Sequence, residues 1–202
     1  MKHGPRALLA TAACSSLAPT ASAHLVSTEL GPFYDGAAHP LVTPEDLLVI
    51  LALATLAALR GAEGGRRALV GLCAAWTVAT AASFAWGAPL SAPPLLVAGL
   101  LVALGLACAV NRAPSPRVLL ALGIAVGVLH GLENGSAARA ADGVWLSTLG
   151  IASGVFVVAT LTTACGVHLE RRGAAIALRV AGSWLAAIGL LFAGWQLAGP
   201  AG

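Results

Sequence analysis

The sequence predicts an all-α fold, a polytopic membrane protein whose bundle of six transmembrane helices follows a cleaved signal peptide. Three observations predict it. Of 202 residues, 58% are apolar and 9% charged, with a mean hydropathy of +0.89. Soluble domains carry about 25% charged residues, so this chain has too little charge to cover a globular surface. It is also too apolar for disorder. Beyond residue 23 the apolar residues gather into six segments of near-bilayer length with short connections. The arginines concentrate in every second connection, as the positive-inside rule requires. The length holds one membrane domain and leaves no room for a soluble catalytic domain. The net charge of +3 is too small to indicate a nucleic-acid partner.

Residues 1–23 read as an export signal. A short basic start (Lys2, Arg6) precedes ALLATAAC, which is too short to span a bilayer, and SSLAPTASA ends in Ala21-Ser22-Ala23, a small-residue cleavage pattern. Cleavage there makes His24 the first mature residue and puts it outside the cytoplasm.

Residues 24–202 form the membrane domain. The first span is expected from about His39 to Arg60, with Pro44 fitting a helix start. The second runs from about Ala68 to Trp86 and the third from about Pro93 to Val110. The fourth runs from about Val118 to Asn134, with Gly123, Gly127, Gly131 and Gly135 on one face, where another helix can approach closely. The fifth covers about Val144 to His168 and the sixth about Ala175 to Leu197. The connections RGAEGGRR, NRAPSPR and ERRG hold Arg60, Arg66, Arg67, Arg112, Arg117, Arg171 and Arg172. Of the other set, APLSAPP has no basic residue and GSAARAADG only Arg139. Both mature ends then face the periplasm of a bacterial-type inner membrane, in agreement with the export signal. Phe33, Tyr34 and Asp35 precede the first span as interface residues. Trp76, Trp86, Trp145, Trp184 and Trp195 read as interface anchors or packing. Cys14, Cys73, Cys108 and Cys165 show no paired spacing, and no disulfide is expected.

Ionisable side chains inside a span are costly and tend to face a cavity or a partner. The first span opens on His39, Glu45 and Asp46, and the fourth ends on His130, Glu133 and Asn134. Asp46 lies fourteen residues before Arg60 and His130 thirteen after Arg117, about 21 and 20 Å from the basic ends of their helices. Two antiparallel helices therefore bring Asp46 and His130 to one depth, with His39 near the outer surface. His130, Glu133 and Asn134 share a helix face. Imidazole with carboxylate suits a borderline divalent metal. The same acids also suit helix N-termini at the water interface, and spacing leaves both readings open. His168 sits at the basic end of the fifth span, either as an exit-side ligand or as a cation favoured by the helix C-terminus. Thr160, Thr162 and Thr163 line a path or bond to their own backbone. Glycine-rich phosphate loop, G-x-S-x-G and HExxH motifs are absent, so neither ATP consumption nor enzymatic hydrolysis is expected.

HPLVTPED, from His39, is similar to the H-x5-D-H signature opening the first helix of the HupE/UreJ family of nickel permeases, which also includes hydrogenase and urease accessory proteins. HGLENG, from His130, is similar to that family's F-H-G-x-A-H-G-x-E signature. GVFVVATLTTACGVHLERRG, from Gly154, resembles its fifth-helix stretch. His39 and His130 stand at the family's leading histidines. Glu45 stands where the family has Asp, Asp46 where it has His, and Asn134 where it has a later His. Ala137 replaces a Glu, with Glu133 one turn earlier. The set is harder and richer in oxygen than the family pattern. The resemblance implies a permease with a periplasm-facing metal site of His39, Glu45, Asp46, His130, Glu133 and Asn134, handing a divalent transition metal of nickel type inward to His168. The metal is cargo, and no resident cofactor is implied. The partners implied are the lipid bilayer, the ion, and a second copy or metalloenzyme-maturation proteins. The alternatives are a non-transporting membrane metalloprotein, using His24 for copper, and an assembly factor without a ligand.

Overall fold

The computed structural model describes residues 27–86, 92–139 and 143–198. Residues 1–23 and His24 lie outside them. The described residues form seven helices: α1 (Pro32–Val42), α2 (Pro44–Ala58), α3 (Gly61–Trp86), α4 (Pro94–Ala109), α5 (Pro116–Arg139), α6 (Val144–Arg171) and α7 (Ala175–Ala198). Helices α5, α6 and α7 are each long and apolar enough to cross a membrane, and α1 with α2 makes a fourth candidate, bent by 69°. At 16 residues, α4 is shorter.

The expected first span is therefore two helices rather than one straight helix from His39. Thr43 is extended (φ −95°, ψ 103°) because Pro44 disfavours helical geometry in the residue before it. The helix that ends there begins at Pro32, so Phe33, Tyr34 and Asp35 belong to its first turn rather than to a preceding loop. Thr28 anchors that turn, its backbone N–H and hydroxyl both donating to Asp35 Oδ1 at 2.6 Å. The second expected span also starts earlier. RGAEGGRR is mostly helix rather than loop, because Glu63 pairs along α3 with Arg66 and with Arg67 (2.8 Å). Helix α5 continues past Asn134 to Arg139.

Helix α2 is the axis of the bundle and packs against every other helix. Its sequence PEDLLVILALATLAA is apolar all round beyond its first turn, which is the pattern of a helix with no solvent face. Val49, Ile50, Leu53 and Leu56 are all buried.

Three glycine-lined pairs surround it. A Cβ on Gly123, Gly127, Gly131 or Gly135 of α5 would lie 2.6, 2.6, 2.5 or 2.8 Å from the carbonyl oxygen of Ala68, Leu72, Trp76 or Thr80 of α3. Each glycine thus sits directly on the α3 backbone, one turn after the last. Gly36 of α1 meets the Ser147 backbone of α6, and Gly105 of α4 meets the Gly182 carbonyl of α7. Such close approach is the usual basis of helix association in lipid. The arginine-rich connections share one end of the bundle: Arg60 Nε donates to the Ala113 and Pro114 carbonyls at 2.9 and 3.0 Å, and Arg179 Nε to Ala109 at 2.9 Å.

Candidate functional site

Beyond the bend at Thr43, α1 packs against the first turns of α6, away from the arginine-rich connections. It carries His39 inward, so that residue is 4% exposed rather than near the outer surface as its position suggested. Just beyond the break, Asp46 projects from the first turn of the central helix and is 2% exposed. The last turns of α5 supply His130, fully buried, and Asn134, 4% exposed.

These four side chains form one hydrogen-bonded chain. His130 Nδ1 lies 2.7 Å from Asp46 Oδ1. The Asn134 amide donates to Asp46 Oδ2 at 2.9 Å. His39 Nε2 is 3.3 Å from Asn134 Oδ1. An ionised carboxylate and an amide oxygen only accept, so both ring nitrogens in the chain must be donors. In the neutral imidazoles this leaves lone pairs on His39 Nδ1 and His130 Nε2. Both atoms are buried and without a hydrogen-bond partner. The Trp76 indole stacks on the His130 ring, centroids 5.4 Å apart and planes 26° apart, and holds its orientation.

Glu133 stands at the edge of this cluster, 28% exposed, with Oε2 3.9 Å from His130 Nδ1. The Ala92 N–H donates to its other oxygen at 2.7 Å, tying the α3–α4 connection to α5. Glu45 is half-buried and within electrostatic reach of Glu133. Six of the seven residues singled out in the sequence therefore gather at one end of the bundle. The seventh, His168, is exposed near the other end of α6 and belongs to a separate cavity with Arg66 and Arg171. The threonines divide: Thr160 and Thr163 line that cavity, Thr162 another groove. Among the described residues no group of three His, Cys, Asp or Glu side chains is arranged to hold a metal ion. Cys73, Cys108 and Cys165 are free thiols.

Sequence reasoning missed the buried hydroxyls. Thr80, Ser147 and Thr148 are buried with no partner for their oxygens, and so is the Trp76 indole N–H. The only sequence signal was the spacing of Trp76, Thr80 and Ser83, which puts three polar-bearing residues on one face of α3. Ser83 Oγ donates to the Leu132 carbonyl of α5 at 2.7 Å.

No curated protein and no solved structure matches this chain. The family described as HupE / UreJ protein matches residues 12–192, which include all seven helices except the last turns of α7. With the helical, lipid-compatible bundle, this match establishes that the chain is a membrane protein belonging to the HupE/UreJ family.

Proposed function

We propose that the chain is a permease for a divalent transition metal ion of nickel type, which it binds at the acidic end of the bundle and passes inward without ATP. The observation that carries this reading is the pair of buried, unpartnered imidazole nitrogens, His39 Nδ1 and His130 Nε2, whose lone pairs are fixed by one hydrogen-bonded chain. Asp46 and Asn134 orient the imidazoles in the manner of carboxylate–histidine–metal arrangements. With both rings neutral the chain carries one negative charge inside the bundle, which an arriving cation compensates. Glu133 and Glu45, nearer water, attract the ion while it sheds its hydration.

The remaining membrane assignments belong to the same proposal. Counting α3 and α4 with the four candidates gives six spans, and the 26 residues of α3 extend about 39 Å. Residues 1–23 are the export signal, and both mature ends face the periplasm. The protein carries out no chemical reaction, and its partners are the ion and, through the family, metalloenzyme maturation.

Radioactive nickel uptake tests this in cells lacking their own nickel importers, at equal membrane expression. Wild type should accumulate nickel above vector, and His130→Ala and Asp46→Ala should both abolish the gain. Competition by cobalt, copper and zinc ranks the ion. No uptake by folded wild type overturns the permease reading and turns attention to a non-transporting role.

A further inference from the structure

We propose that a second site, between the first turns of α3 and the last turns of α6, binds the phosphate of an anionic phospholipid in the leaflet at the arginine-rich end. A cavity of about 440 Å³ lies there, lined by Arg66 and Leu69 from α3 and by Thr160, Thr163, His168 and Arg171 from α6.

The charge favours an anion. Arg66 and Arg171 line the cavity, and the sequence of the α3 start and α6 end holds Arg66, Arg67, Arg171 and Arg172 against Glu63 and Glu170, four positive charges against two negative. Arg66 and Arg67 divide the single carboxylate of Glu63 between them. Among the described residues Arg171 forms no ion pair. Two guanidiniums on one cavity repel a divalent cation, whereas phosphate oxygens match the guanidinium fork.

A hydroxyl is also left over. Thr160 Oγ1 is buried and has no hydrogen-bond partner, although a helical Ser or Thr ordinarily bonds back to its own helix. Thr77, Ser153 and Ser183 do so, donating to the carbonyls of Cys73, Leu149 and Arg179 at 2.8, 2.7 and 3.0 Å. Thr160 lines the cavity, and rotation about its Cα–Cβ bond turns that free donor into it.

The walls identify a lipid rather than a free anion. Leu69 lines the cavity beside the arginines. Further along the same pair of helices, Val78 of α3 and Leu149 and Phe156 of α6 line one groove, and all three are exposed. Acyl chains cover such side chains, and inorganic phosphate does not. Basic pockets between helices at the positive end of a membrane protein recognise anionic headgroups in this way. The site does not depend on the permease reading.

Native mass spectrometry of the full-length protein in neutral detergent tests the proposal, with added dioleoylphosphatidylglycerol, dioleoylphosphatidylcholine or inorganic phosphate. Wild type should retain phosphatidylglycerol in preference to phosphatidylcholine. The Arg66→Ala/Arg171→Ala variant should bind it about tenfold more weakly, each arginine contributing a several-fold factor. The Arg112→Ala/Arg117→Ala variant removes the same charge elsewhere at the same end and should bind as wild type does. Thr160→Val keeps the shape and should weaken retention several-fold. Equal loss in the two arginine pairs, equal retention of the two lipids, unchanged retention in Thr160→Val, or displacement of phosphatidylglycerol by inorganic phosphate would each overturn it.

Discussion

Asn134 occupies the middle of a chain whose ends are imidazoles. Replacing it with Leu strips a partner from His39 Nε2 and from Asp46 Oδ2 together. A buried polar group left without its partner costs about 1–3 kcal/mol, so Asn134→Leu should lower the thermal midpoint of the purified protein clearly. It should also lose nickel uptake, because His39 no longer has a fixed tautomer. Thr148 gives the contrasting case. Its hydroxyl is buried and already unpartnered, so Thr148→Val keeps the shape, removes an unsatisfied group and should leave stability unchanged or raise it by up to about 1–3 kcal/mol. A fall in uptake with unchanged stability would show that the hydroxyl serves the passing ion, whereas a large loss of stability would show that it is structural. At this scale the sequence revealed the pairing of Asp46 with His130, because two antiparallel helices anchored at basic ends place them level. The depth of His39 was hidden, since it follows from the bend direction. Ser147 and Thr148 were hidden because adjacent hydroxyls in an apolar run have no helical periodicity, whereas Thr80 was marked only by its spacing from Trp76 and Ser83.

The α3–α5 contact rests on four glycines, and the prediction at this scale is a contrast between glycines. A Cβ on Gly127 would meet the Leu72 carbonyl oxygen at 2.6 Å, and that atom cannot move away as a side chain would. Gly127→Ala should therefore destabilise the bundle by about 1–3 kcal/mol. Gly99 of α4 has nothing within 4 Å of such a Cβ. Gly99→Ala should be neutral or slightly stabilising, since alanine is the better helix former. Thermal unfolding of both variants in one detergent checks this, and equal effects would refute the packing account. The four-residue glycine spacing was plain in the sequence, and α3 is the helix it meets. The break at Thr43 was only half visible. Pro44 marked the start of α2, but PFYDGAAHPLV has too few strongly apolar residues to announce a helix. The early start of α3 was masked by Gly61, Gly64 and Gly65, which read as a loop.

Among the side chains described, charge is sorted along the bundle. Eight arginines (60, 66, 67, 112, 117, 171, 172, 179) and two glutamates (63, 170) lie in or beside the connections of one end, and Glu29, Asp35, Glu45, Asp46 and Glu133 lie toward the other. The acidic end draws cations and the basic end opposes them. Orientation is testable in a cysteine-free background. Tyr34→Cys, at a position 54% exposed, should react with a membrane-impermeant maleimide in spheroplasts. Arg112→Cys should react only after permeabilisation, and the reverse pattern would invert the topology. Arginine alternation made this sorting legible from the sequence. The central place of α2 was less so, because an all-round apolar helix reads the same whether its neighbours are helices or lipid.

That central place sets an order of events during synthesis. Asp46 emerges with α2, whereas its partner Asn134 lies 88 residues later in the chain. At roughly 5–20 residues per second, the carboxylate waits on the order of ten seconds for α5 to be made. During that interval Asp46 is without the hydrogen bonds that His130 and Asn134 later supply, so the carboxylate at the start of α2 must stay in contact with water until α5 arrives to replace it.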